Sequence, residues 1–215
     1  MKNKLLNSFF LFVALMMSGC IIDDECLDSE IVAKFEEERR GQNDNDSSLD
    51  DNNSIVNNNG IKYTFVDLGL PSGTLWCTRN LDATLKEDYG VYLTWKDARN
   101  QIPKEMSMPS WEQARELVDY CSWRWTTVNF IYGYSGQGPN GNLIFLPAGG
   151  IFLDYSDVLK YEGDMGYFWI DYDTTTEYSQ HLSAATILFM QSADVIPKIS
   201  GATHASKINV RCVKK

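Results

Sequence analysis

The strongest structural signal in the chain is the stretch Ser110-Trp111-Glu112-Gln113-Ala114-Arg115-Glu116-Leu117-Val118-Asp119-Tyr120-Cys121. Ser110 followed by Gln113 forms a capping box, in which each side chain satisfies a backbone amide at the start of a helix. Apolar residues then recur at three- and four-residue intervals, which places them on one stripe of that helix. The stripe consists of Trp111, Ala114, Leu117, Val118 and Cys121. The sequence therefore predicts one well-specified helix that packs on the rest of its domain.

The end of the chain predicts a strand. Ile208, Val210 and Cys212 alternate with Asn209 and Arg211. Because successive side chains in a strand point to opposite faces, the apolar three share one face and the polar two share the other. The apolar face is expected to point inward.

Two cysteines thus occupy faces that are expected to be buried, Cys121 on the helix and Cys212 on the last strand. If the helix packs on this strand, the two form a disulfide. The alternative is two free buried thiols, because connectivity cannot be deduced from sequence alone. Cys26 and Cys77 remain as a second pair, and their pairing stays open.

Apolar alternation and turn residues predict further strands in the same part of the chain. They cover residues 61–67, 73–80, 123–134, 142–146, 166–170, 183–190 and 207–214. The segment Pro139-Asn140-Gly141-Asn142 contains the Asn-Gly pair that is typical of a tight hairpin turn.

The first twenty residues predict an export signal. Lys2 and Lys4 precede an apolar run, residues 9–17, and the stretch Met17-Ser18-Gly19-Cys20 follows. The apolar run is too short to cross a hydrocarbon core, which needs about 20 helical residues. Small residues leading into Cys20 resemble the bacterial lipobox. The resemblance implies a signal peptide over 1–19 and a lipid on Cys20 that attaches the protein to a membrane; the alternative is a freely secreted protein.

Residues 20–60 predict a tether. Positions 21–60 hold twelve acidic and three basic residues, and residues 42–59 are mainly Asn, Asp and Ser. A composition with few apolar and many charged residues stays disordered. The stretch Asp23-Asp24-Glu25 resembles the export tags of surface-displayed lipoproteins. We therefore expect an outer-membrane lipoprotein at the cell surface.

Residues 61–215 have the composition of one globular domain. All six tryptophans and all eleven tyrosines of the chain fall there. The net charge of −10 belongs mostly to the tether, so the domain is close to neutral. Because a nucleic-acid-binding surface needs a basic stripe, the sequence excludes nucleic acid as an expected partner.

Motifs along this domain resemble the Fibrobacter succinogenes major paralogous domain, which is common in bacterial surface lipoproteins. They are Val66-Asp67-Leu68-Gly69-Leu70-Pro71-Ser72-Gly73-Thr74-Leu75-Trp76, Tyr89-Gly90-Val91-Tyr92, Met108-Pro109-Ser110-Trp111, Cys121-Ser122-Trp123, Asn140-Gly141-Asn142-Leu143-Ile144-Phe145-Leu146-Pro147-Ala148-Gly149, Gly166-Tyr167-Phe168-Trp169 and Val210-Arg211-Cys212-Val213. The family often has Trp-Ala-Thr-Cys-Asn where this chain has Trp76-Cys77-Thr78-Arg79-Asn80.

The helix at Ser110 and the closing Val210-Arg211-Cys212-Val213 also resemble C-type-lectin-like domains and relatives of the formylglycine-generating enzyme. The resemblance implies an α+β fold, in which a twisted, mainly antiparallel sheet is flanked by helix. In lectin-like domains a cysteine of the first helix pairs with one on the last strand. The resemblance therefore implies the Cys121–Cys212 bridge.

Candidate catalytic groups are few, so the sequence favours a binding module over an enzyme. His181 and His204 are the only histidines, too few for a zinc site of the usual spacing. Formylglycine-generating enzymes need an active cysteine pair, and no matching cysteine stands beside Cys212. The alternatives are a diverged enzyme, glycoside-active or formylglycine-type, and a structural subunit of an envelope assembly.

No cofactor is expected, and calcium is the one metal that the motifs suggest. Trp169-Ile170-Asp171 is similar to the Trp-Asn-Asp calcium motif of sugar-binding lectins but lacks its asparagine. Gly138-Pro139-Asn140 lacks the glutamate of the partner motif Glu-Pro-Asn. Both departures argue against a calcium-dependent sugar site.

Aromatic residues next to acids are the candidate ligand-binding groups, for a glycan or a protein. Aromatic faces cover the apolar side of a pyranose, and carboxylates accept hydrogen bonds from its hydroxyls. The candidates are Trp169, Asp171, Tyr172, Asp173, Tyr132 and Tyr134. For Trp169 the alternative is a place in the core, where large aromatics contribute most of the buried surface.

Overall fold

The computed structural model describes residues 54–56, 60–173, 183–190 and 197–215. The chain divides into two compact units, Met1–Leu49 and Asp50–Lys215, and every described residue belongs to the second. The predicted signal peptide, Cys20, Cys26 and most of the predicted tether lie outside the described residues.

The described residues form an α+β domain of two helices and thirteen strands. The helices are α1 (Trp95–Gln101) and α2 (Trp111–Tyr120). The strands are β1 (Ser54–Val56), β2 (Lys62–Asp67), β3 (Leu75–Cys77), β4 (Met106–Ser107), β5 (Ser122–Val128), β6 (Ile131–Gln137), β7 (Leu143–Pro147), β8 (Ile151–Phe152), β9 (Leu159–Lys160), β10 (Met165–Asp173), β11 (Ser183–Met190), β12 (Lys198–Thr203) and β13 (Val213–Lys214).

The strands form four sheets in the described part of the chain. One has the order β1-β2-β3-β13-β4, two have three strands, β5-β6-β7 and β10-β11-β12, and the last pairs β8 with β9. Every pairing between named strands is antiparallel. The α+β class with a mainly antiparallel sheet is thus confirmed.

Helix α2 forms as its sequence predicts. The Ser110 hydroxyl accepts from the Gln113 amide at 3.3 Å, and the Gln113 side chain accepts from the Ser110 amide at 2.8 Å. Ala114, Leu117 and Val118 are buried on the predicted stripe. The capping box and the apolar spacing together account for the start and the orientation of this helix.

Helix α1 was not predicted. Its start at Thr94 uses the same device, because the Thr94 hydroxyl accepts from the Asp97 amide at 3.2 Å. Trp95 and Ala98 are its buried residues. With two buried positions in seven residues, the helix shows too little apolar periodicity to be recognised.

Strand β1 lies inside the predicted tether, so the expectation of disorder is wrong for Ser54–Val56. Ile55 pairs with Tyr63 of β2 and packs against a buried cluster of the domain. The sequence did not predict this edge strand, because the residues around Ile55 are mainly Asn.

A hairpin replaces the single strand expected over 123–134. Strands β5 and β6 pair in register up to Val128 opposite Ile131. The two residues between them, Asn129 and Phe130, have φ of 46° and 66°. Positive φ at both positions is the geometry of a type I′ turn, in which the second residue is usually glycine. Because Phe130 occupies that position instead of glycine, the sequence did not indicate a turn here.

The other predicted strands agree with the structure to different degrees. Four predicted strands correspond closely to β2, β7, β10 and β11: residues 61–67, 142–146, 166–170 and 183–190. The middle of the predicted strand 73–80 is β3. The run 207–214 is a regular strand only at β13, preceded by isolated bridges at Lys207, Ile208 and Asn209. The hairpin at Asn140-Gly141 joins β6 to β7, and Gly141 alone of the pair has positive φ, 90°.

Two hydrophobic cores lie within the domain, and neighbouring residues of one strand enter different cores. The first core contains Trp76 and Val213 together with the stripe of α2. The second core contains Cys77 and Cys212 together with Tyr63, and it also holds Trp169. Alternation along a strand therefore assigns each side chain to one core or the other.

The predicted disulfide between Cys121 and Cys212 is not formed, and both residues are buried free thiols. Cys121 follows α2 and lies in the first core, whereas Cys212 lies in the second. The buried stripe of α2 belongs to the core that contains Val213, not to the core that contains Cys212. The inward direction predicted for each cysteine is right, but they point into different cores.

Arg211 is a cation inside the domain, fully buried. Its guanidinium donates to the Asn80 side-chain oxygen at 2.8 Å, the Cys77 carbonyl at 3.0 Å and the Phe145 carbonyl at 2.9 Å. Burial lowers the pKa of Arg211 to about 10. These bonds join the last strand to β3, to β7 and to the loop that follows β3.

Candidate functional site

Strand β10 passes from the core to the surface along its length. Phe168, Trp169 and Ile170 are buried, and Asp171–Asp173 are exposed. The pairing with β11 is irregular here, since Trp169 is opposite Thr186 but Asp173 is opposite Ala184. Such a bulge bends a strand and redirects its side chains. It separates the buried part of β10 from the part that faces solvent.

Trp169 is a core residue and not a ligand-binding one. Its side chain is 0% exposed, and its indole N–H donates to the Leu93 carbonyl at 2.8 Å. A buried tryptophan whose polar atom already has a partner offers nothing to a ligand at the surface. The prediction that Trp169 contacts a ligand is therefore wrong.

Asp171 lies beside a cation from helix α1. The Arg99 Nε is 3.5 Å from an Asp171 carboxylate oxygen, and the Asp171 amide donates to the Pro109 carbonyl at 2.9 Å. The Arg99 guanidinium also lies over the Trp95 ring, 4.9 Å from its centroid. Helix α1 thereby places the Arg99 guanidinium, which lies over the Trp95 ring, next to the exposed end of β10.

Tyr172 packs against Trp111, the first residue of α2. The ring centroids are 5.1 Å apart and the rings are tilted by 44°. Tyr172 remains 48% exposed. The capping box that begins α2 thus also places the tryptophan that supports this tyrosine.

Asp173 lies beside His204, 3.5 Å from its Nε2, which is an ion-pair distance and not a hydrogen bond. The His204 ring stacks on Trp95, with centroids 4.5 Å apart and an interplanar angle of 8°. The side chain of His204 is 19% exposed and that of Asp173 is 48% exposed. Trp95 therefore supports both a cation near Asp171 and an imidazole near Asp173.

We call these six side chains the β10 surface: Asp171, Tyr172, Asp173, Arg99, Trp111 and His204. Beside it lies a cleft of about 240 Å³ that is lined by Arg99 and Asp171. The other residues of the cleft are Ile102, Met106, Ser107, Met108 and Lys215. An acceptor, Asp171, and donors, Arg99 and Lys215, thus line the same cleft.

The two tyrosines predicted on another segment have different positions. Tyr134 is 4% exposed and belongs to the first core, so its predicted ligand contact is wrong. Tyr132 is 47% exposed and stacks on Trp125, with centroids 6.3 Å apart and an interplanar angle of 10°. It lies on β6, in a sheet different from that of β10.

The candidates from sequence therefore divide into three groups. Asp171, Tyr172 and Asp173 are exposed at the end of β10, Tyr132 is exposed on another sheet, and the remaining two are buried. The sequence missed Arg99, Trp111 and His204. The one usable signal for Arg99 was its position four residues after Trp95, since such pairs are neighbours on a helix.

The charged groups of the β10 surface make it suited to recognising polar ligands.

Within the described ranges, no group of three or more His, Cys, Asp or Glu side chains is placed to hold a metal ion. The described residues also include no helix with the length and apolar character to cross a membrane. No family model, curated protein or solved structure matches the chain.

Proposed function

We propose that this protein is a non-catalytic, membrane-anchored surface lipoprotein whose domain binds carbohydrate at the β10 surface. Lipid on Cys20 holds it on the outer membrane, and residues 20–60 act mainly as a spacer. In this proposal the domain is C-type-lectin-like and related to the Fibrobacter succinogenes major paralogous domain. The motifs named above and the α+β class with a flanking helix support that relationship.

The observation that carries the binding proposal is the exposed ring of Tyr172, which is adjacent in the chain to two exposed carboxylates, Asp171 and Asp173. Its packing on Trp111 holds the ring in place, which reduces the entropy that a ligand contact must overcome. A pyranose has an apolar face that covers such a ring, and its hydroxyls donate hydrogen bonds to Asp171 and Asp173. Because the half-exposed Arg99 donates from beside Asp171, a hydroxyl oxygen also finds a partner.

Replacing Tyr172 with alanine is expected to weaken glycan binding about tenfold or more. Exposed aromatic anchors at the centre of a binding surface contribute most of the binding energy, and about 1.4 kcal/mol corresponds to a factor of ten. A glycan array probed with the chain from residue 21 identifies the ligand, and calorimetry compares the affinities. Asp171→Asn is expected to weaken binding less, because the amide oxygen still accepts a hydrogen bond.

Tyr132→Ala is the matched control. Tyr132 and Tyr172 are almost equally exposed, 47% and 48%, and each packs on a tryptophan. The Tyr132 variant is expected to keep full affinity. Loss of binding in this variant but not in Tyr172→Ala contradicts the β10 surface as the site. If the array gives no signal and the domain captures a host protein, the ligand is a protein and not a carbohydrate.

The anchor is tested separately. A Cys20→Ser variant is expected to incorporate no radiolabelled fatty acid and to leave the membrane fraction, because this sulfur is the proposed attachment point. Protease added to intact cells is expected to degrade the domain of the native protein. Membrane association that survives the Cys20→Ser change disproves lipidation at this residue, whereas resistance to added protease places the domain on the inner face.

A further inference from the structure

Cys77, the last residue of β3, lies opposite Cys212, the residue that precedes β13. Val213 of β13 pairs with Trp76 of β3 in an antiparallel register. In such a register the next residue of one strand faces the preceding residue of the other, which brings Cys77 opposite Cys212. The Cys77 amide donates to the Cys212 carbonyl at 2.9 Å, which confirms this alignment.

Both cysteine side chains point to the same side. Each is 1% exposed, and both belong to the second core. Opposite residues of antiparallel pairs have Cα atoms about 4.5–5.5 Å apart. This separation falls within the range of about 4.4–6.8 Å that disulfides span. Residues aligned in this way are therefore close enough for a disulfide.

Cys121 is excluded as a partner for either thiol by its position in the first core. The sheet that contains Trp76 and Val213 separates it from the other two. Among the cysteines that the structure describes, the geometry thus selects one pair. It is a different pair from the one that the sequence predicted.

We propose that Cys77 and Cys212 form an intramolecular disulfide that joins the last strand to β3 once the chain is exported. The bond depends on the oxidising environment that the proposed export provides. It closes nearly the whole domain into a covalent loop, because the two residues lie near the beginning and the end of the domain. Its role is to resist the release of the C-terminal strand.

The oxidant is a disulfide of a second molecule, RSSR. One cysteine thiolate attacks a sulfur of RSSR, which forms a mixed disulfide and expels one thiolate, RS⁻. The second cysteine thiolate then attacks the protein sulfur of the mixed disulfide and expels the other RS⁻. Both cysteines are oxidised and RSSR is reduced, and the two cysteine protons end on two RSH molecules.

This exchange precedes the closure of the sheet. Burial raises the pKa of the Cys77 thiol and that of the Cys212 thiol. Because the thiolate is the attacking species, both groups react poorly inside the folded core. Oxidation is therefore expected while the last strand is still open, and the folded thiol form is expected to react slowly.

Peptide mapping tests the bond in the full-length protein. Cells that export the chain are dissolved in denaturant together with a thiol-alkylating reagent, so that buried thiols also react, and the purified protein is digested with trypsin without reduction. We expect a cross-linked species that joins residues 63–79 to residues 212–214. The Cys121→Ser variant is the matched control and is expected to give the same species. A bridge from either residue to Cys121 overturns the proposal, and so do alkylated Cys77 and Cys212 when refolding in vitro also leaves them as thiols.

Refolding separates this proposal from that of export. The denatured, reduced full chain is refolded with oxidised and reduced glutathione, where the same cross-link is expected without any export. A cross-link in vitro but thiols in cells indicates failed export, whereas thiols in both overturn the disulfide. Reduction of the bond is expected to lower Tm by about 5–15 °C. Cys77→Ser is expected to show no such reductant-dependent shift.

Discussion

Arg211→Ala is expected to lower the free energy of unfolding by about 3–5 kcal/mol. The guanidinium satisfies three buried oxygens, those of Asn80, Cys77 and Phe145. Each buried acceptor left without a donor costs about 1–3 kcal/mol. Release of the buried charge offsets part of this loss, so the total stays below the sum of the three bonds.

Urea denaturation followed by tryptophan fluorescence measures this loss. Arg211→Lys is expected to have an intermediate effect, because an ammonium keeps the charge but cannot reproduce the planar arrangement of donors. Arg115→Ala is the control. Arg115 pairs with Asp119 at 3.1 Å with both side chains about half exposed, and such pairs contribute at most about 1 kcal/mol. A loss below about 1 kcal/mol for Arg211→Ala contradicts its structural role.

Trp169→Ala is expected to cost about 3–5 kcal/mol, because removal of a large buried aromatic leaves a cavity. Its side chain is 0% exposed and lies in the second core. Trp169→Phe keeps most of the volume but removes one of two donors to the Leu93 carbonyl, which keeps its bond from the Ile208 amide at 3.1 Å. That change is expected to cost about 0.5–1.5 kcal/mol, the net contribution of one hydrogen bond.

The same two variants distinguish a core residue from a ligand-binding one. Trp169→Phe is expected to leave glycan affinity within about twofold of the native value at a temperature where both proteins are folded. The stability loss is again measured in urea. Full stability of Trp169→Ala, together with lost binding, contradicts the placement of this residue in the core.

Local signals in the sequence predicted the elements that depend on neighbours in the chain. The capping box at Ser110 and the apolar stripe predicted α2, because both devices act within a few turns of one helix. Alternation likewise predicted that Val210 and Cys212 share a face. The sequence did not show that two cores exist, since alternation identifies a face without identifying what covers it. The incorrect prediction of a Cys121–Cys212 disulfide follows, because the two cysteines were expected in one core.

The candidate site was partly predictable for a related reason. Asp171, Tyr172 and Asp173 are consecutive, so a search for aromatics beside acids found them together. Arg99 and His204 reach the same place from other segments, and only the tertiary structure brings them there. Trp169 satisfies the same search rule but stands before the bulge in β10. No residue type in this stretch signals a bulge, and the sequence therefore does not separate the buried half from the exposed half.

Turn chemistry explains the remaining difference. Asn129 favours a left-handed backbone, but Phe130 is a bulky residue at φ of 66° and 88% exposed. Glycine is the residue that a type I′ turn prefers at this position. Because Phe130 is apolar and lies within an apolar run, the pattern predicted one strand that continues through it. The turn became visible only from the register of β5 with β6.

The most direct test of binding at the β10 surface is ¹⁹F NMR of the protein labelled with 5-fluorotryptophan. All six tryptophans of the chain lie in the domain and each gives one signal. Titration with the oligosaccharide selected by the array is expected to shift the signal of Trp111, which supports Tyr172, and to leave that of Trp125 unchanged. A shift at Trp125, which supports Tyr132, with Trp111 unchanged contradicts the account.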